Sequence, residues 1–325
     1  MRPKVFVAHP IPEIGINMLR ARYEVTVQPN SRPLAPEALI RALTGCEGAV
    51  TLLCDRIDET ILAAVPGLKV IANYAVGYDN IDVEAARRAG VKVTHTPGVL
   101  TAATAEIAFA LLITLTRRIR EAERFAREGR FTGWDPLLLR GDELAGRTLG
   151  IIGMGRIGRD MAAKCRAFGM RILYHNRKPV SGDVEKALGA TYVRLDELFE
   201  RADVISLHAP ATPETHHIID AAAFSRMKPG AYLINTARGD LVDESALVEA
   251  LASGRIKGAG LDVYEREPEI TAGLFRFNNI VMLPHIGSAT VEARDKMAVM
   301  AARNVRAVLE GLPPENPVPE LADLG

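Results

Sequence analysis

The stretch TLGIIGMGRIGRDMAAKCRAFG, residues 148–169, decides the fold. An apolar run leads into Gly153, Gly155 and Gly158, spaced as GxGxxG, and an Ala-containing helical segment follows. The first glycine permits a tight turn, the second leaves room for a pyrophosphate, and the third lets strand and helix pack closely. Because a helix N-terminus also offers free N–H groups, the stretch predicts a dinucleotide site. Its expected contacts are Gly153, Gly155, Arg156, Ile157 and Gly158.

The end of the next strand bears on which dinucleotide binds. An acid there would accept hydrogen bonds from the adenine ribose, which suits NAD. LYHNRKPV (173–180) instead supplies Asn176, Arg177 and Lys178, which can donate to a 2′-phosphate. Charge-assisted hydrogen bonds contribute about 1.5–3 kcal/mol each. We therefore expect NADP (NADPH) to be preferred, with NAD possible; the alternative is a solvated basic loop.

Short β-branched runs alternate with helical patterns on both sides of this stretch, which is typical of parallel sheets covered on both faces. Eleven such runs are many for one open sheet. The sequence therefore predicts an α/β protein with two doubly wound parallel-sheet (Rossmann-like) domains and the active-site cleft between them. The runs are residues 4–8, 23–28, 48–53, 69–74, 91–96, 148–153, 170–175, 203–208, 230–236, 258–263 and 279–284.

Two long helical patterns set the expected domain bounds. One runs from about Thr101 to Arg130 and crosses between the sheets; the other, from about Ser288 to Leu312, would return to the first sheet. A shorter helix over 243–254 has Asp243 as a plausible cap and Gly254 as a stop. We expect residues 1–98 plus 287–325 to form a substrate-binding (flavodoxin-like) domain, and 99–286 the dinucleotide-binding Rossmann domain.

Composition limits the possible partners. Forty basic and forty acidic residues in 325 cancel, so the chain lacks the broad positive field typical of nucleic-acid binding. The longest apolar stretch, 107–116, is too short for a membrane span. Cys46, Cys54 and Cys165 show no metal-ligand spacing, so we expect no metal site and three small buried side chains in a reducing compartment. With no signal pattern at the N-terminus, a cytoplasmic location is expected.

Three later segments carry groups suited to one reaction: LINTARGDLVDE with Arg238, GAGLDVYEREPE with Asp262 and Glu267, and VMLPHIGSAT with His285. Each follows a predicted strand, and the carboxyl edge of an open parallel sheet is where ligands bind. Taken singly, each has a plain structural interpretation. Arg238 could be a surface ion-pair partner, Glu267 one loop acid among several, and His285 a structural histidine.

In this order after GxGxxG, the three segments resemble the D-isomer-specific 2-hydroxyacid dehydrogenase family over essentially the whole chain. The basic "NRK" and residues 131–158 look most like its glyoxylate/hydroxypyruvate reductase branch, which is typically NADPH-preferring. The resemblance implies that Arg238 holds the substrate's carboxylate and carbonyl oxygen. It also implies that His285 is the general acid in reduction, and that Glu267 hydrogen-bonds its imidazole and stabilises the imidazolium.

The resemblance implies further contacts. Asp262 would contact the nicotinamide carboxamide, and the loop around Val76-Gly77 would bind the substrate carboxylate through its backbone. The implied substrate residues are Leu53, Val76, Gly77 and Arg238. The implied cofactor residues outside the glycine turn and the basic loop are Thr104, His208, Pro210, Thr215, Thr236, Ala237, Arg238, Asp262, His285 and Gly287.

Some alternatives stay open. Trp134 either reaches a partner subunit's site, as in related reductases, or is a core or interface aromatic. The long helix and "WDPLLL" favour a homodimer. Within enzymes, the alternative substrates are those of D-lactate or phosphoglycerate dehydrogenases. The non-enzymatic alternative is a nucleotide-sensing protein like the corepressor relatives, because fold alone does not settle function.

Overall fold

The computed structural model describes residues 2–30 and 32–324, so the outer ends of the predicted first domain, residues 1 and 325, lie outside the described residues. The chain divides into two compact units. One, the split unit, contains the described residues of Met1–Leu100 and Ser288–Gly325; the other, the central unit, is Thr101–Gly287. Each holds a parallel sheet with helices, which confirms the predicted α/β class.

The sheet of the split unit has the strand order β2-β1-β3-β4-β5, and all its described pairs are parallel. Every residue of β3 and β4 is buried, as the continuous apolar runs predict. The strands are β1 (Lys4–Val7), β2 (Glu24–Val27), β3 (Gly48–Thr51), β4 (Val70–Asn73) and β5 (Lys92–Thr94), and the helices are α1 (Glu13–Arg20), α2 (Pro36–Leu43), α3 (Glu59–Ala64) and α4 (Val83–Ala89).

The last helix of the chain returns to this sheet. It spans Val291–Leu309 and is capped by the Thr290 side chain, three residues inside each end of the predicted helix. It packs so closely on α1 that a Cβ built at Gly15 would lie 2.7 Å from the carbonyl oxygen of Ala298. The Tyr74 hydroxyl donates to the carbonyl of Arg294 at 2.7 Å. We call this helix α12.

The sheet of the central unit has the order β12-β11-β10-β9-β6-β7-β8 and is likewise parallel in its described pairs. The order reverses between β6 and β9, so the turn after β6 lies at the topological switch point. The strands are β6 (Thr148–Ile152), β7 (Arg171–His175), β8 (Ala190–Tyr192), β9 (Val204–Leu207), β10 (Ala231–Asn235), β11 (Ile256–Leu261) and β12 (Ile280–Met282). The helices are α5 (Thr101–Thr116), α6 (Ile119–Arg127), α7 (Arg156–Ala167), α8 (Gly182–Leu188), α9 (Leu195–Arg201), α10 (Ala221–Arg226) and α11 (Glu244–Ala252).

The single long helix predicted from Thr101 to Arg130 is wrong. The chain breaks at Arg118, whose φ of +52° is left-handed. α5 is apolar and largely buried, whereas α6 has no buried residue, so the two halves have different surroundings. The carbonyl of Thr116 accepts from the N–H of Asp142 at 2.7 Å, a bond that replaces the next helical one. The short strand β8 was also not predicted from the sequence.

The helix predicted over 243–254 is confirmed as α11. Its cap is the Asp243 carboxylate, which accepts from the N–H groups of Ser245 and Ala246. Gly254 follows with φ +69°, a left-handed conformation that suits glycine. The cap and the stop therefore set the two ends of this helix, while Leu247, Ala250 and Leu251 bury its inner face in the core.

The prediction of three buried cysteines is wrong for one of them. All three described cysteines are free thiols, with Cys46 and Cys165 buried and Cys54 exposed. Cys54 lies just after β3, in a loop whose neighbours Leu53 and Arg56 also reach the surface. Across residues 2–30 and 32–324, no helix has the length and apolar character needed to cross a bilayer.

Candidate active site

The glycine turn after β6 is shaped by close backbone contacts. Gly153 has φ +99°, and a Cβ there would lie 2.6 Å from the backbone of His208 and Ala209. A Cβ at Gly158 would lie 2.2 Å from the carbonyl oxygen of Gly153. A Cβ at Gly155 would meet nothing within 4 Å. The chain itself therefore requires the first and third glycines, whereas the second leaves open space beside the start of α7.

That open space adjoins a helix N-terminus. Gly155 is the N-cap of α7, and no side chain caps it. The first N–H groups of a helix, here from Arg156 and Ile157, have no carbonyl partner in the helix and form its positive end. An anion placed beside Gly155 would meet these donors without steric conflict.

The side chains of the basic loop after β7 point in two directions. Asn176 turns inward, and its Oδ1 accepts from the N–H of Met154 at 2.7 Å, so the side chain braces the glycine turn. Arg177 and Lys178 are exposed. A hydrogen bond from Thr212 and, more weakly, the charge of Arg177 hold the pKa of Glu214 below its ordinary value. Of the three predicted donors, only the two cations are clearly directed to solvent.

His208 follows β9 at the same sheet edge and is half-buried. Its Nε2 lies 2.9 Å from the Ser206 hydroxyl. Burial lowers its pKa to about 4, so the imidazole is neutral at neutral pH. The following loop is held by Thr215, whose hydroxyl donates to the carbonyl of Pro210 at 2.7 Å.

His285 and Glu267 are paired. The imidazole Nδ1 lies 2.8 Å from Glu267 Oε2, and Glu267 Oε1 accepts from the N–H of Tyr264 at 3.0 Å. Both oxygens of the carboxylate are therefore engaged, which fixes its orientation. The two side chains are 29% and 35% exposed, so the pair is accessible to a small molecule.

The backbone of His285 is held in a left-handed conformation, with φ +53°. Such a conformation costs a non-glycine residue energy and needs support from its surroundings. Asp262 supplies it: Oδ1 accepts from the N–H of Ile286 and Oδ2 from that of Gly287, each at 2.7 Å. Burial raises the pKa of Asp262, and the N–H of Ile286 opposes that rise.

Asp262 is therefore a positioning residue in this structure. It is 1% exposed, and a Cβ at Gly287 would lie only 3.1 Å from its Oδ2. Thr104 closes the same corner, since its hydroxyl donates to the carbonyl of Gly287 at 3.2 Å. The direct contacts with a cofactor expected of Asp262 and Thr104 stay predictions.

Arg238 sits in a turn after β10 that a buried asparagine organises. Asn235 accepts from the N–H of Ala237 at 3.0 Å and donates to the carbonyl of Arg238 at 2.7 Å. The guanidinium donates to the carbonyl of Ala237 at 2.8 Å, among other interactions. The hydroxyl of Thr236 is buried and meets no hydrogen-bond partner among the described residues.

The Arg238 turn is pressed against the loop that carries Glu267. A Cβ at Gly239 would lie 1.9 Å from the backbone of Tyr264, so no other residue fits there. Glu244 is 3% exposed and accepts from the N–H of Glu265 at 3.0 Å and from the Thr271 hydroxyl. The central unit thus brings Arg238, Glu267 and His285 onto three neighbouring strand ends.

Comparison with known proteins identifies the chain. The sequence model described as D-isomer specific 2-hydroxyacid dehydrogenase, NAD binding domain, matches residues 109–287. The chain belongs to the D-isomer specific 2-hydroxyacid dehydrogenase family. It is an oxidoreductase, and the matched region is the part of the family that binds a nicotinamide dinucleotide.

Full-length relatives agree with this assignment. Glyoxylate reductase from Thermococcus litoralis is 47% identical over 322 residues, which cover 97% of this chain and 96% of the relative. A crystal structure of a Thermus thermophilus protein has TM-score 0.90 and 46% identity, covering 97% and 99% of the two chains. A Sinorhizobium meliloti NADPH-dependent glyoxylate/hydroxypyruvate reductase, solved with NADP and malonate, has TM-score 0.86 and 35% identity, covering 98% of each chain.

The residues present fit the dinucleotide of this dehydrogenase family. Gly155 leaves open space at a helix N-terminus, as a pyrophosphate requires. The buried hydroxyl of Thr236, which lacks a protein partner in the described part of the chain, could hydrogen-bond a polar group of the nicotinamide end.

Sequence reasoning missed the residues that support this dehydrogenase site. They are Asn235, Gly239, Glu244 and Tyr264. Glu244 looked like an ordinary first-turn acid of α11, since Asp243 already caps that helix. The sequence places the segments "NTARG" and "VYEREP" at the same sheet edge, and this is the only signal that could have drawn attention to Gly239. It was not sufficient, because a sequence gives no distance between the two turns.

The expected substrate residues lie at the carboxyl edge of the split unit's sheet. Leu53 follows β3, and Val76-Gly77 follow β4. A network fixes both loops: Asn73 donates to the carbonyl of Gly77 at 2.9 Å, and Asn80 donates to the carbonyls of Leu52 and Asp55. His95 Nδ1 lies 2.8 Å from the carbonyl oxygen of Val76. Their contact with substrate stays a prediction.

Trp134 is not a core aromatic, since it is 85% exposed. Phe131 and Leu137 of the same segment are 63% and 68% exposed. This excludes a core role for Trp134, and both an interface role and a reach into a partner subunit's site stay predictions.

Proposed function

We propose that this protein reduces a small 2-oxo acid, glyoxylate and/or hydroxypyruvate, to the 2-hydroxy acid, with NADPH as the preferred cofactor. The observation that carries the proposal is the His285–Glu267 pair, with Nδ1 and Oε2 2.8 Å apart, beside the turn that bears Arg238. The names of the Thermococcus and Sinorhizobium relatives support the substrate class. The central unit would be the dinucleotide-binding domain and the split unit the substrate domain.

NADPH, when bound, supplies the hydride. The protein supplies the proton. Because Glu267 engages Nδ1, the proton leaves from Nε2 of His285, and the carboxylate stabilises the imidazolium that precedes transfer. Arg238 offsets the negative charge that develops on the carbonyl oxygen and holds the substrate carboxylate through its fork of donors. In the reverse direction, His285 acts as the base.

Asp262 contributes to the reaction through His285. By binding the N–H groups of Ile286 and Gly287, it keeps the left-handed backbone of His285 in place. Val76 and Gly77 of the split unit bind the substrate carboxylate through backbone groups, and Leu53 shapes selectivity. The hydrogen bond from Asn73 to Gly77 supports this part of the proposal because it fixes that loop before any ligand arrives.

The first experiment is a panel of 2-oxo acids with NADPH and with NADH, followed by cofactor absorbance. We expect the highest kcat/KM with glyoxylate or hydroxypyruvate and NADPH. Higher values with pyruvate or phosphohydroxypyruvate would point to the D-lactate or phosphoglycerate type. A silent panel despite tight NADPH binding would contradict the enzymatic proposal and favour a corepressor-like sensor.

The second experiment removes the proton donor. His285→Ala should lower kcat by about 10²–10⁴-fold, the range of general acid catalysis, with the NADPH dissociation constant within about twofold of the wild type. The matched control is His216→Ala, since His216 is exposed and stands outside the proposed machinery. Unchanged turnover in His285→Ala would remove this residue from the mechanism.

The NADPH preference depends on Arg177 and Lys178. Replacing both with Glu should raise the KM for NADPH at least about 100-fold, because two charge-assisted hydrogen bonds become repulsive contacts, while the KM for NADH changes little. The control is Arg171→Glu, at the opposite end of β7 and exposed. A wild-type KM lower for NADH than for NADPH would overturn this preference.

We also propose a cytoplasmic homodimer. The exposed apolar side chains of Phe131, Trp134 and Leu137 support an interface there, since exposed apolar clusters mark association surfaces. Light scattering should give twice the chain mass, and Trp134→Glu should shift it toward the monomer. A wild-type chain that stays monomeric at high concentration would exclude the dimer.

A further inference from the structure

His9, Cys54 and Asp55 meet at the carboxyl edge of the split unit's sheet. β1 and β3 are neighbours, so the loops that follow them end side by side. His9 Nε2 lies 2.9 Å from Asp55 Oδ1 and 3.5 Å from Cys54 Sγ. One nitrogen, one sulfur and one carboxylate oxygen all lie within 4.8 Å of one another. We call these three residues the His–Cys–Asp cluster.

The cluster is rigid on one side and open on the other. The side chains of His9 and Asp55 are 3% and 1% exposed. Asp55 Oδ2 accepts from the N–H of Leu52 at 2.8 Å, and Asn80 donates to the carbonyl of Asp55 at 2.8 Å. Cys54 is exposed. The fold therefore holds two of the three potential metal-binding side chains, His9 and Asp55, in place. The third, Cys54, faces solvent, which gives an ion an entry path.

The donor set favours a borderline or soft cation. Calcium and magnesium prefer sites made of oxygen, whereas imidazole and thiolate ligands suit the zinc class. A tetrahedral zinc ion would hold its nitrogen and sulfur ligands about 3.6 Å apart, and nitrogen and oxygen about 3.4 Å apart. The observed His9–Cys54 separation of 3.5 Å already matches, and the His9–Asp55 separation of 2.9 Å must open slightly.

The competitor for this site is a proton. The imidazole Nε2 of His9 faces Asp55 Oδ1 at 2.9 Å and Cys54 Sγ at 3.5 Å, so a hydrogen-bonding proton lies among these atoms when no cation is bound. A cation would replace that proton between the same three atoms, and the thiol would lose its own proton, as metal binding to such ligands requires.

We propose that the His–Cys–Asp cluster binds one divalent cation of the zinc class, with a water molecule as the fourth ligand. No sequence pattern indicates this site, because His9 and Asp55 are 46 residues apart and no CxxC or HxxxH spacing is present. The site uses none of the residues proposed for catalysis.

The test is metal binding to the full chain, stripped with a chelator and kept reduced without added thiols. Zn²⁺ is titrated in competition with a chromophoric chelator, and Cd²⁺ is titrated while its thiolate charge-transfer absorption is followed. We expect one ion per chain, a cadmium–thiolate band, and protection of one thiol from iodoacetamide by Zn²⁺. Cys46 and Cys165 are buried, so Cys54 is the thiol that labels.

Cys54→Ser should lower Zn²⁺ affinity by more than the roughly 10–100-fold cost of losing an outer-shell partner and should abolish the cadmium band. Because Cys54 is exposed, this variant should fold. Cys46→Ala is the matched control and should keep both signals. Wild-type protein that binds no Zn²⁺, or Cys54→Ser protein that keeps the wild-type affinity, would overturn the proposal. Neither readout depends on enzyme activity.

Discussion

The glycine turn after β6 in the central unit and the carboxyl edge of the split unit's sheet are shaped by opposite means. In the central unit, missing side chains shape the turn after β6: Gly153 and Gly158 allow backbone approaches that a Cβ would block. In the split unit, buried polar side chains shape the edge: Thr51 donates to Asn73 at 3.1 Å, and Asn73 donates to Gly77 at 2.9 Å. Both edges are predicted to hold ligands. Two similar sheets therefore form their predicted sites in different ways, one through glycines that allow close backbone contacts and the other through buried polar side chains.

This difference predicts different consequences of mutation. A glycine turn fails by steric conflict, since there is no space for an added atom. A buried polar network is destabilised when a side chain is removed, because each lost partner leaves a buried donor or acceptor without a hydrogen bond. Adding one methyl group should therefore damage the first edge, and removing one amide should damage the second.

The largest expected effect is at Gly158. In Gly158→Ala, the new Cβ would lie 2.2 Å from the carbonyl oxygen of Gly153, a backbone atom that cannot simply move aside. We expect the free energy of unfolding to fall by about 3 kcal/mol and NADPH binding to weaken strongly, because the turn must shift. Denaturant titration and NADPH fluorescence measure the two quantities.

Two control variants separate fold from binding. Gly182→Ala adds a Cβ that meets nothing within 4 Å, so it should leave NADPH binding unchanged and should not lower the free energy of unfolding, because Ala favours a helix over Gly. Gly155→Ala also meets nothing in the protein, so it should keep its stability and lose only NADPH affinity. Equal stability of Gly158→Ala and Gly155→Ala would show that the close approach at Gly158 is not the constraint.

The ease of prediction follows the same division. GxGxxG could be interpreted because each glycine answers a local need within one strand–turn–helix unit. Arg238 and His285 each follow a strand as predicted, although β10 and β12 end one and two residues earlier than expected. The Glu244 contacts and the break at Arg118 were not predictable, because they depend on which distant backbone segment arrives at that point. Sequence periodicity reports burial, not the identity of the neighbour.

The next effect is at Asn73, which is fully buried. Asn73→Ala removes a donor from the Gly77 carbonyl and an acceptor from Thr51, leaving both unsatisfied. We expect a loss of about 2 kcal/mol of stability and a lower kcat/KM for the 2-oxo acid. The NADPH dissociation constant, a property of the central unit, should stay within about twofold.

The matched control is Asn279→Ala. Asn279 donates to the carbonyl of Lys257 at 2.9 Å near the surface, where water can replace the amide. Its stability should change by less than about 0.5 kcal/mol. A drop in NADPH affinity as large as the drop in kcat/KM for Asn73→Ala would mean that the network does not act through the substrate loop.

The smallest expected effect appears only when the pH is lowered. Burial depresses the pKa of His208 from 6.5 to about 4, so the folded state binds its proton more weakly than the unfolded state. The associated stability is fully present above pH 6.5 and is lost as the pH falls toward 4. Because the imidazole is partly exposed, solvent screening reduces the contribution to about 1–2 kcal/mol.

Between neutral pH and pH 4, the wild type should lose about this much more stability than His208→Gln. The exposed control His216→Gln should follow the wild type. If the stability of the wild type and of His208→Gln falls in parallel as the pH is lowered, protonation of His208 does not contribute to the pH dependence of folding. The carboxyl edge of the central sheet would then depend on backbone shape alone.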